Sequence, residues 1–446
     1  MRWLCYLGLG ARDLRVERPG TSAPSLAVQW AILAAILLLV PLRLGAQEYQ
    51  VLHNFGGPGD GFVPAGALAI DPTGNLYGVT GGGPEEYGYG EAFELSPQGG
   101  GEWQETVLYV FPGPNVAPEG PLTLDMAGNL YGTAAGFGSL VFQLSRASGG
   151  WDYSVLYDQG AGPGVAIDAA GDLYGSIGPG DYFGIGAIGA LTPGSGGWTY
   201  TDLANLGVAI GYGPPGPPVP DGRGGLIGVD EYGGVYESPN CRENSDGCGV
   251  LFDMTPTPDG ALWTYNVLHL FGSFATDAQI PSGGLVRGPS GAIYGVTALG
   301  GRNDLGTIFQ LTRSISGQTK DPWTLQVLYD FPDCSIGCNP GGTMAIDRAG
   351  NLYGIAGGGI ADCGYTCGVI FRLAPQADGN WEYSVVHKFT GKDGQFPVGV
   401  TIDDKGDLFG TTKDGGTYNA GVAFEIRPGV YPVPTGPDAV AGEDED

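Results

Sequence analysis

The stretch DPTGNLYGVT, residues 71–80, decides the fold because the chain repeats it six more times. The copies begin at Asp125, Asp168, Asp221, Gly288, Asp347 and Asp403, and they read DMAGNLYGTA, DAAGDLYGSI, DGRGGLIGVD, GPSGAIYGVT, DRAGNLYGIA and DDKGDLFGTT. Asp suits the first position of a type I turn, and a Gly three residues later tolerates a positive φ. Each copy therefore predicts a hairpin reversal between two β-strands.

The neighbours of the turn repeat as well. An apolar segment such as GALAID (66–71) precedes it, and a Gly-rich loop, an aromatic strand such as AFELSP (92–97) and a Trp-led strand such as WQETVLYVF (103–111) follow it. This order predicts a four-stranded antiparallel sheet in each unit, with strands of five to nine residues. The Gly inside LYG, such as Gly78, suggests the close approach of a neighbouring sheet.

The two ends of the repeat region indicate how the units close. The seventh unit stops after its third strand, VAFEI (422–426), whereas YQVLHNF (49–55) resembles a fourth strand and precedes the first turn. A ring closes if this N-terminal strand completes the last sheet. The sequence therefore predicts an all-β, seven-bladed β-propeller over residues 47–428, with its last blade closed as one plus three strands.

Unit four is the irregular one. Its first strand falls on GPPGPPVPDG (213–222), and proline cannot donate to a β-ladder. A free edge at the central channel would accommodate these prolines. A six-bladed ring with an insertion is the alternative.

The first 46 residues differ from the rest. Four arginines (Arg2, Arg12, Arg15 and Arg18) precede the apolar run AILAAILLLV (31–40), and LGA (44–46) supplies small residues for cleavage. This layout is typical of a secretory signal peptide, so residues 1–46 are predicted to be removed on export. The alternative is an uncleaved N-terminal anchor.

Charge limits the choice of partners. Without residues 1–46 the chain carries 14 basic and 45 acidic residues, a formal charge of −31. Such a surface repels nucleic acid and anionic membranes.

Residues 429–446 are predicted to be a disordered acidic tail. No hydrophobic anchor is seen there, so we expect a secreted or periplasmic monomer without stable membrane insertion.

Six cysteines remain after the predicted cleavage, in three close pairs. They are Cys241 and Cys248, Cys334 and Cys338, and Cys363 and Cys367. An exported protein meets an oxidising compartment, which favours three local disulfides. A thiolate metal site is the alternative, but zinc sites more often use a two-residue spacing with a second matching pair.

The motif order D-x-x-G-N-L-Y-G-T, Gly-Gly, G-x-x-F-x-L and W-x-x-x-V-L-Y-x-F resembles the bacterial GloVer tandem repeats over nearly all of residues 49–428. The resemblance implies an exported repeat protein. It carries no catalytic residues over to this chain.

The three histidines, His53, His269 and His387, occupy the position in the fourth strand that Tyr109, Tyr157 and Tyr329 occupy in other units. A structural aromatic position explains them better than catalysis, because no motif supplies a histidine base with a local partner. We therefore predict no catalytic residue, no cofactor and no metal.

The loops between the second and third strands emerge on the same side of the ring as the loops between blades. Aromatic and acidic side chains there predict a ligand-binding face. The candidate residues are Tyr87, Tyr89, Glu85, Glu86, Tyr182, Tyr232, Tyr236, Tyr365 and Tyr418. Alternatively, these tyrosines only pack down Gly-rich loops.

The leading functional hypothesis is a non-enzymatic, secreted propeller that binds an extracellular glycan or protein. A carboxylate-based glycosidase or polysaccharide lyase, and a purely structural surface protein, are the alternatives.

Overall fold

The computed structural model describes residues 48–83, 89–113, 116–136, 139–179, 187–207, 211–234, 239–241, 246–258, 260, 262–313, 323–359 and 367–427. The predicted signal peptide and acidic tail lie outside these residues and stay predictions. Within the described part, no helix is long and apolar enough to cross a membrane.

The strands form seven antiparallel sheets. Blade 1 contains β2 (Phe62–Ile70), β3 (Leu76–Gly82), β4 (Glu91–Gly99) and β5 (Glu102–Val110). Blade 2 contains β6 (Ala117–Leu124), β7 (Leu130–Ala135), β8 (Leu140–Ala147) and β9 (Gly150–Tyr157). Blade 3 contains β10 (Ala166–Ile167), β11 (Leu173–Ser176), β12 (Ala187–Gly194) and β13 (Gly197–Asn205). Blade 4 contains β14 (Val219–Pro220), β15 (Leu226–Asp230), β16 (Val250–Pro256) and β17 (Trp263–Leu270).

The last three blades follow the same plan. Blade 5 contains β18 (Ala278–Pro281), β19 (Val286–Arg287), β20 (Ile293–Gly300), β21 (Thr307–Arg313) and β22 (Trp323–Asp330). Blade 6 contains β23 (Cys338–Ile346), β24 (Leu352–Gly357), β25 (Val369–Pro375) and β26 (Trp381–Lys388). Blade 7 contains β27 (Gln395–Ile402), β28 (Leu408–Asp414), β29 (Val422–Arg427) and β1 (Glu48–Asn54).

Blade 7 confirms the predicted closure. Its strand order is β1-β29-β28-β27, and β1 pairs antiparallel with β29 from Glu48 opposite Arg427 to Asn54 opposite Val422. The protein is a seven-bladed β-propeller, and the six-bladed alternative is wrong.

The innermost strands depart from the predicted lengths. Blades 3 and 4 each begin with a two-residue strand, and the first strand of blade 5 is split into β18 and β19. Proline and glycine explain the loss in blade 4, because GPPGPPVP offers few backbone donors to a ladder. Each sheet remains intact because its three outer strands carry most of the pairing.

The repeated aspartate organises the hairpin between the first two strands. In blade 1, Asp71 Oδ1 accepts hydrogen bonds from the backbone N–H groups of Thr73 and Asn75 at 2.8 and 3.0 Å, and the Tyr77 hydroxyl donates to Asp71 Oδ2 at 3.0 Å. The Gly74 N–H donates to the Asp71 carbonyl at 3.0 Å, as the predicted turn requires. The same bond from the tyrosine of LYG to the aspartate of the turn recurs in blades 2, 3 and 6.

The glycine of LYG has a different role from the predicted one. A Cβ on Gly78 would lie 2.5 Å from Phe93 Cζ and 2.8 Å from Leu68 Cδ2, both in the same blade. Gly132, Gly228, Gly295, Gly354 and Gly410 meet the phenylalanine of their own third strand in the same way. The glycine makes room for a buried aromatic ring on the adjacent strand, not for a neighbouring sheet.

Neighbouring blades pack through the tryptophan that opens the fourth strand. Trp151 of blade 2 lies edge-on to Tyr77 of blade 1, with ring centroids 6.1 Å apart. The same contact closes the ring, where Trp103 of blade 1 lies 6.0 Å from Phe409 of blade 7.

Two disulfides join the predicted partners, Cys241 with Cys248 and Cys334 with Cys338. Cys367 is also disulfide-bonded, and Cys363 lies outside the described residues. These bonds favour an oxidising compartment.

Candidate functional site

The structure describes three of the predicted ligand-binding residues, and each belongs to a different blade. Tyr89 precedes β4 in blade 1, Tyr232 follows β15 in blade 4, and Tyr418 lies between β28 and β29 in blade 7 with 53% of its surface exposed. Glu85, Glu86, Tyr87, Tyr182, Tyr236 and Tyr365 lie outside the described residues.

Tyr232 is engaged in local contacts. Its hydroxyl donates to Glu231 Oε1 at 2.8 Å, and its ring stacks on Tyr212 with centroids 5.4 Å apart. This packing agrees with the interpretation that some loop tyrosines hold down Gly-rich loops.

The central channel contains a cavity of about 540 Å³. Residues from the innermost region of all seven blades line it, including Val63, Pro118, Pro163, Pro215, Gly284, Thr343 and Val398. Glu119 and Lys413 are the charged residues among its described lining. Gly81 and Lys413 lie near the ends of second strands, so the cavity lies toward the face that carries the inter-blade loops and the disulfides.

A second pocket of about 290 Å³ adjoins this cavity between blades 6 and 7. Lys413 borders both spaces, and Phe396, 40% exposed, lines the smaller one together with Asn339 and Ile355. The two pockets together place an accessible aromatic ring beside a cation and small apolar walls.

The rim of the channel is held in an unusual backbone conformation. Val63, Ile280, Asn339 and Phe396 occupy equivalent positions in four blades, each with φ between 48° and 58° and each followed by proline. Their N–H groups donate to the loop between the second and third strands of the preceding blade, as Phe396 N does to Cys367 O at 3.1 Å. A positive φ costs on the order of 1–3 kcal/mol at a non-glycine residue, so these bonds hold a strained, pre-organised rim.

The slot that the three histidines share with tyrosines is a contact between blades. Tyr109 of blade 1 stacks on Tyr153 of blade 2 at 4.3 Å, and Tyr329 of blade 5 stacks on Tyr383 of blade 6 at 4.4 Å. His387 of blade 6 stacks on Tyr49 of blade 7 at 4.1 Å. This part of the structural interpretation agrees with the geometry.

The expectation that the histidines lack local partners is wrong. Each Nε2 atom lies at hydrogen-bond distance from an aspartate that follows six to eight residues later, at 3.0 Å for His53 and Asp60, 3.1 Å for His269 and Asp277, and 3.0 Å for His387 and Asp393. The signal in the sequence is H-x-F followed by a short loop that ends in aspartate. The turn after the fourth strand returns that carboxylate to the histidine.

The interface between blade 7 and blade 1, where the ring closes, departs most from the repeat. The stacking partner of His53 is replaced there by Glu105, which occupies the position of Tyr153, Tyr200, Tyr265 and Tyr383 in other blades. Glu91 replaces a small or apolar residue at the start of the third strand, where other blades have Leu140, Ala187, Val250, Thr307, Val369 and Val422. We call His53, Asp60, Glu91 and Glu105 the closure cluster.

Distances within the closure cluster are short. His53 Nε2 lies 3.0 Å from Asp60 Oδ2 and 3.4 Å from Glu105 Oε2, and one ligand atom from each of these residues lies within 4.8 Å of the others. Glu91 is 0% exposed, and its Oε1 accepts a hydrogen bond from the Gly61 N–H at 2.8 Å.

The carboxylates of the closure cluster are buried close to one another, and this changes their pKa values. Burial, with like charges nearby, raises the pKa of both Glu91 and Glu105 to about 7. Burial lowers the pKa of His53, but its hydrogen bond to Asp60 and the surrounding carboxylates outweigh burial and raise it above the ordinary value. Three carboxyl groups therefore surround one histidine, and their burial and mutual repulsion favour proton uptake by Glu91 and Glu105.

The closure cluster also contains unsatisfied oxygens. Asp60 Oδ1, Glu91 Oε2 and Glu105 Oε1 are buried and lack a hydrogen-bond partner among the described residues. Buried polar atoms without partners are rare and call for an explanation in each case.

Comparison with family models bears on the repeat that the motifs define. Residues 239–433 match the Gloeobacter/Verrucomicrobia repeat family, which supports the resemblance to GloVer repeats that the motifs indicated. A search of curated proteins gave no match.

Solved structures with a similar fold include three bacterial proteins. They are PorZ, a surface component of the type IX secretion system of Porphyromonas gingivalis (13% identity, TM-score 0.49, 87% of this chain and 49% of that chain), the soluble aldose sugar dehydrogenase of Escherichia coli (12%, 0.41, 86% and 100%) and a gluconolactonase of Xanthomonas campestris (12%, 0.39, 87% and 91%). At these TM-scores they carry no argument about this chain.

Proposed function

We propose that this protein is a non-enzymatic, secreted propeller that binds a neutral extracellular glycan where the central cavity opens on the loop face. The observation that carries the proposal is the cavity of about 540 Å³ lined by all seven blades. This volume lies in the range of small-ligand sites, which are concave, mostly apolar and supplied with a few polar groups.

The chemistry of the lining favours a sugar. Phe396, which lines the adjoining smaller pocket and is 40% exposed, offers an aromatic ring to the C–H groups of a pyranose, and Lys413 and Glu119 offer a donor and an acceptor to hydroxyl groups. The acidic surface of the protein disfavours anionic polymers, so a neutral saccharide is the best-supported class.

A glycan-array screen with three forms of the purified protein tests this proposal. Wild type is expected to bind a defined neutral glycan, and Phe396→Ala is expected to weaken that binding at least roughly ten-fold, because aromatic anchors in pockets dominate binding energy. Phe274→Ala removes another exposed aromatic residue, one that does not line either pocket, and it should bind as wild type does.

Two results would contradict the proposal. A blank array would exclude the glycan class, and equal binding by Phe396→Ala would move the site away from the cavity. Release of reducing ends from the bound glycan would indicate a glycosidase or lyase instead.

A further inference from the structure

We propose that the closure cluster is a binding site for a divalent transition-metal ion such as Zn²⁺ or Mn²⁺, which joins the N-terminal strand to blade 1. The site is separate from the central cavity, and the proposal does not depend on glycan binding. Its ligands are His53 from β1, Asp60 from the loop after β1, and Glu105 from β5.

The geometry favours a metal because three donor atoms of the right kinds already converge. The Nε2 atom of His53 and carboxylate oxygens of Asp60 and Glu105 lie within 4.8 Å of one another, so small side-chain movements would bring them around one ion. An imidazole together with carboxylates suits Zn²⁺ or Mn²⁺ better than Ca²⁺ or Mg²⁺, which prefer oxygen ligands alone.

Glu91 supplies an independent observation. Its side chain is fully buried, the N–H of Gly61 holds its Oε1, and its Oε2 has no partner among the described residues. Gly61 directly follows Asp60 in the chain, so its bond to Glu91 places this buried side chain beside the ligands. A cation at the site would balance carboxylates that outnumber the single histidine.

The chain contains its own controls, because two other blades repeat the His–Asp pair without the extra carboxylates. His387 faces Tyr49 instead of a glutamate, and His269 belongs to the interface where Leu325 takes the position of Glu105. A pair of ligands holds a metal weakly, so these two pairs are not expected to bind one.

The proposed metal site is accessible to solvent, and metal binding requires only the release of a proton. The side chains of His53, Asp60 and Glu105 are 22%, 10% and 14% exposed, so an ion can reach the site from solvent. On binding, Nε2 of His53 gives up any proton to solvent and donates its lone pair to the metal, as all histidine ligands do.

Titration calorimetry of the chelator-treated full-length protein with Zn²⁺ and, separately, Mn²⁺ tests the proposal. Wild type should bind one ion per chain with a melting temperature that rises with metal concentration. Glu105→Tyr installs the residue that five other blades have at this position, so the fold should tolerate it while affinity falls at least roughly ten-fold.

His387→Gln should bind the metal as wild type does. If Glu105→Tyr fails to fold, Glu105→Gln, which keeps the size of the side chain and removes its charge, provides the same test. The proposal is overturned if neither ion binds in a saturable way, if Glu105→Tyr (or Glu105→Gln in its place) binds as tightly as wild type, or if His387→Gln loses binding equally.

Discussion

At the scale of the residue, this protein has charged side chains at several repeat positions where the other blades have uncharged residues. Asp230 is a second example besides the closure cluster, because it ends LIGVD where blades 1, 5 and 7 have Thr80, Thr297 and Thr412. Those threonines are satisfied by backbone bonds; Thr297, for example, donates to Leu299 O at 3.0 Å. Asp230 is 0% exposed, its Oδ1 lacks a partner among the described residues, and Tyr265 donates to its Oδ2 at 3.3 Å.

This environment predicts a pH-dependent cost to stability. Burial, only partly offset by the bond from Tyr265, raises the pKa of Asp230 to about 8, whereas an unfolded chain has an aspartate pKa of about 3.9. Between these values the folded protein keeps a proton that the unfolded chain loses. Stability is therefore fully present below about pH 4 and decreases as pH rises toward 8.

Asp230→Thr is expected to raise the free energy of unfolding at pH 7 by about 1–3 kcal/mol, because it removes a buried, poorly satisfied carboxyl group. Urea denaturation at pH 5 and pH 7.5 measures this, and the gain should be larger at the higher pH. Asp152→Asn, at an exposed position, is the control for the charge change. A gain that is equal at both pH values would contradict the titration of Asp230.

At the scale of the element, six of the seven blades have an aspartate in the first turn, and six have a phenylalanine on the third strand that covers a glycine on the second. The turn could be predicted from the sequence because its hydrogen bonds are local. The role of the glycine could not be predicted, because the residue that covers it lies on the adjacent strand, as Phe142 does for Gly132.

Gly132→Ala is therefore expected to destabilise the protein by about 1–3 kcal/mol through overpacking, since its Cβ would lie 2.5 Å from Phe142 Cζ and 2.7 Å from Leu122 Cδ2. Gly149→Ala, in the same blade, has no atom within 4 Å of the new Cβ and should change stability by less than about 0.5 kcal/mol. Urea denaturation of both variants compares them directly. Equal effects of the two substitutions would contradict the packing role of Gly132.

At the scale of the whole molecule, the ring and its closure were predictable because seven copies of one motif, with a strand missing at one end and present at the other, leave few alternatives. The closure cluster was not predicted. His53 was assigned to an aromatic slot, and its partners Glu91 and Glu105 come near it only because the ring closes. Comparison of each slot across blades would have revealed both glutamates, since each stands where the other blades have an uncharged residue.

The pairing of β1 with β29 beside blade 1 both completes the ring and assembles the closure cluster. Gln50 lies opposite Glu425 in that pairing. Opposed residues of antiparallel strands have Cα atoms about 4.5–5.5 Å apart, which is within the range that a disulfide spans.

The most direct measurement is non-reducing peptide mapping of the double variant Gln50→Cys with Glu425→Cys. We predict a disulfide between positions 50 and 425 within a single chain. The control is the double variant Gln50→Cys with Gln310→Cys. Gln310 occupies the position in blade 5 that Glu425 occupies in blade 7, so no disulfide between positions 50 and 310 should form. A bond formed equally with position 310, or only between separate chains, would contradict the closed ring.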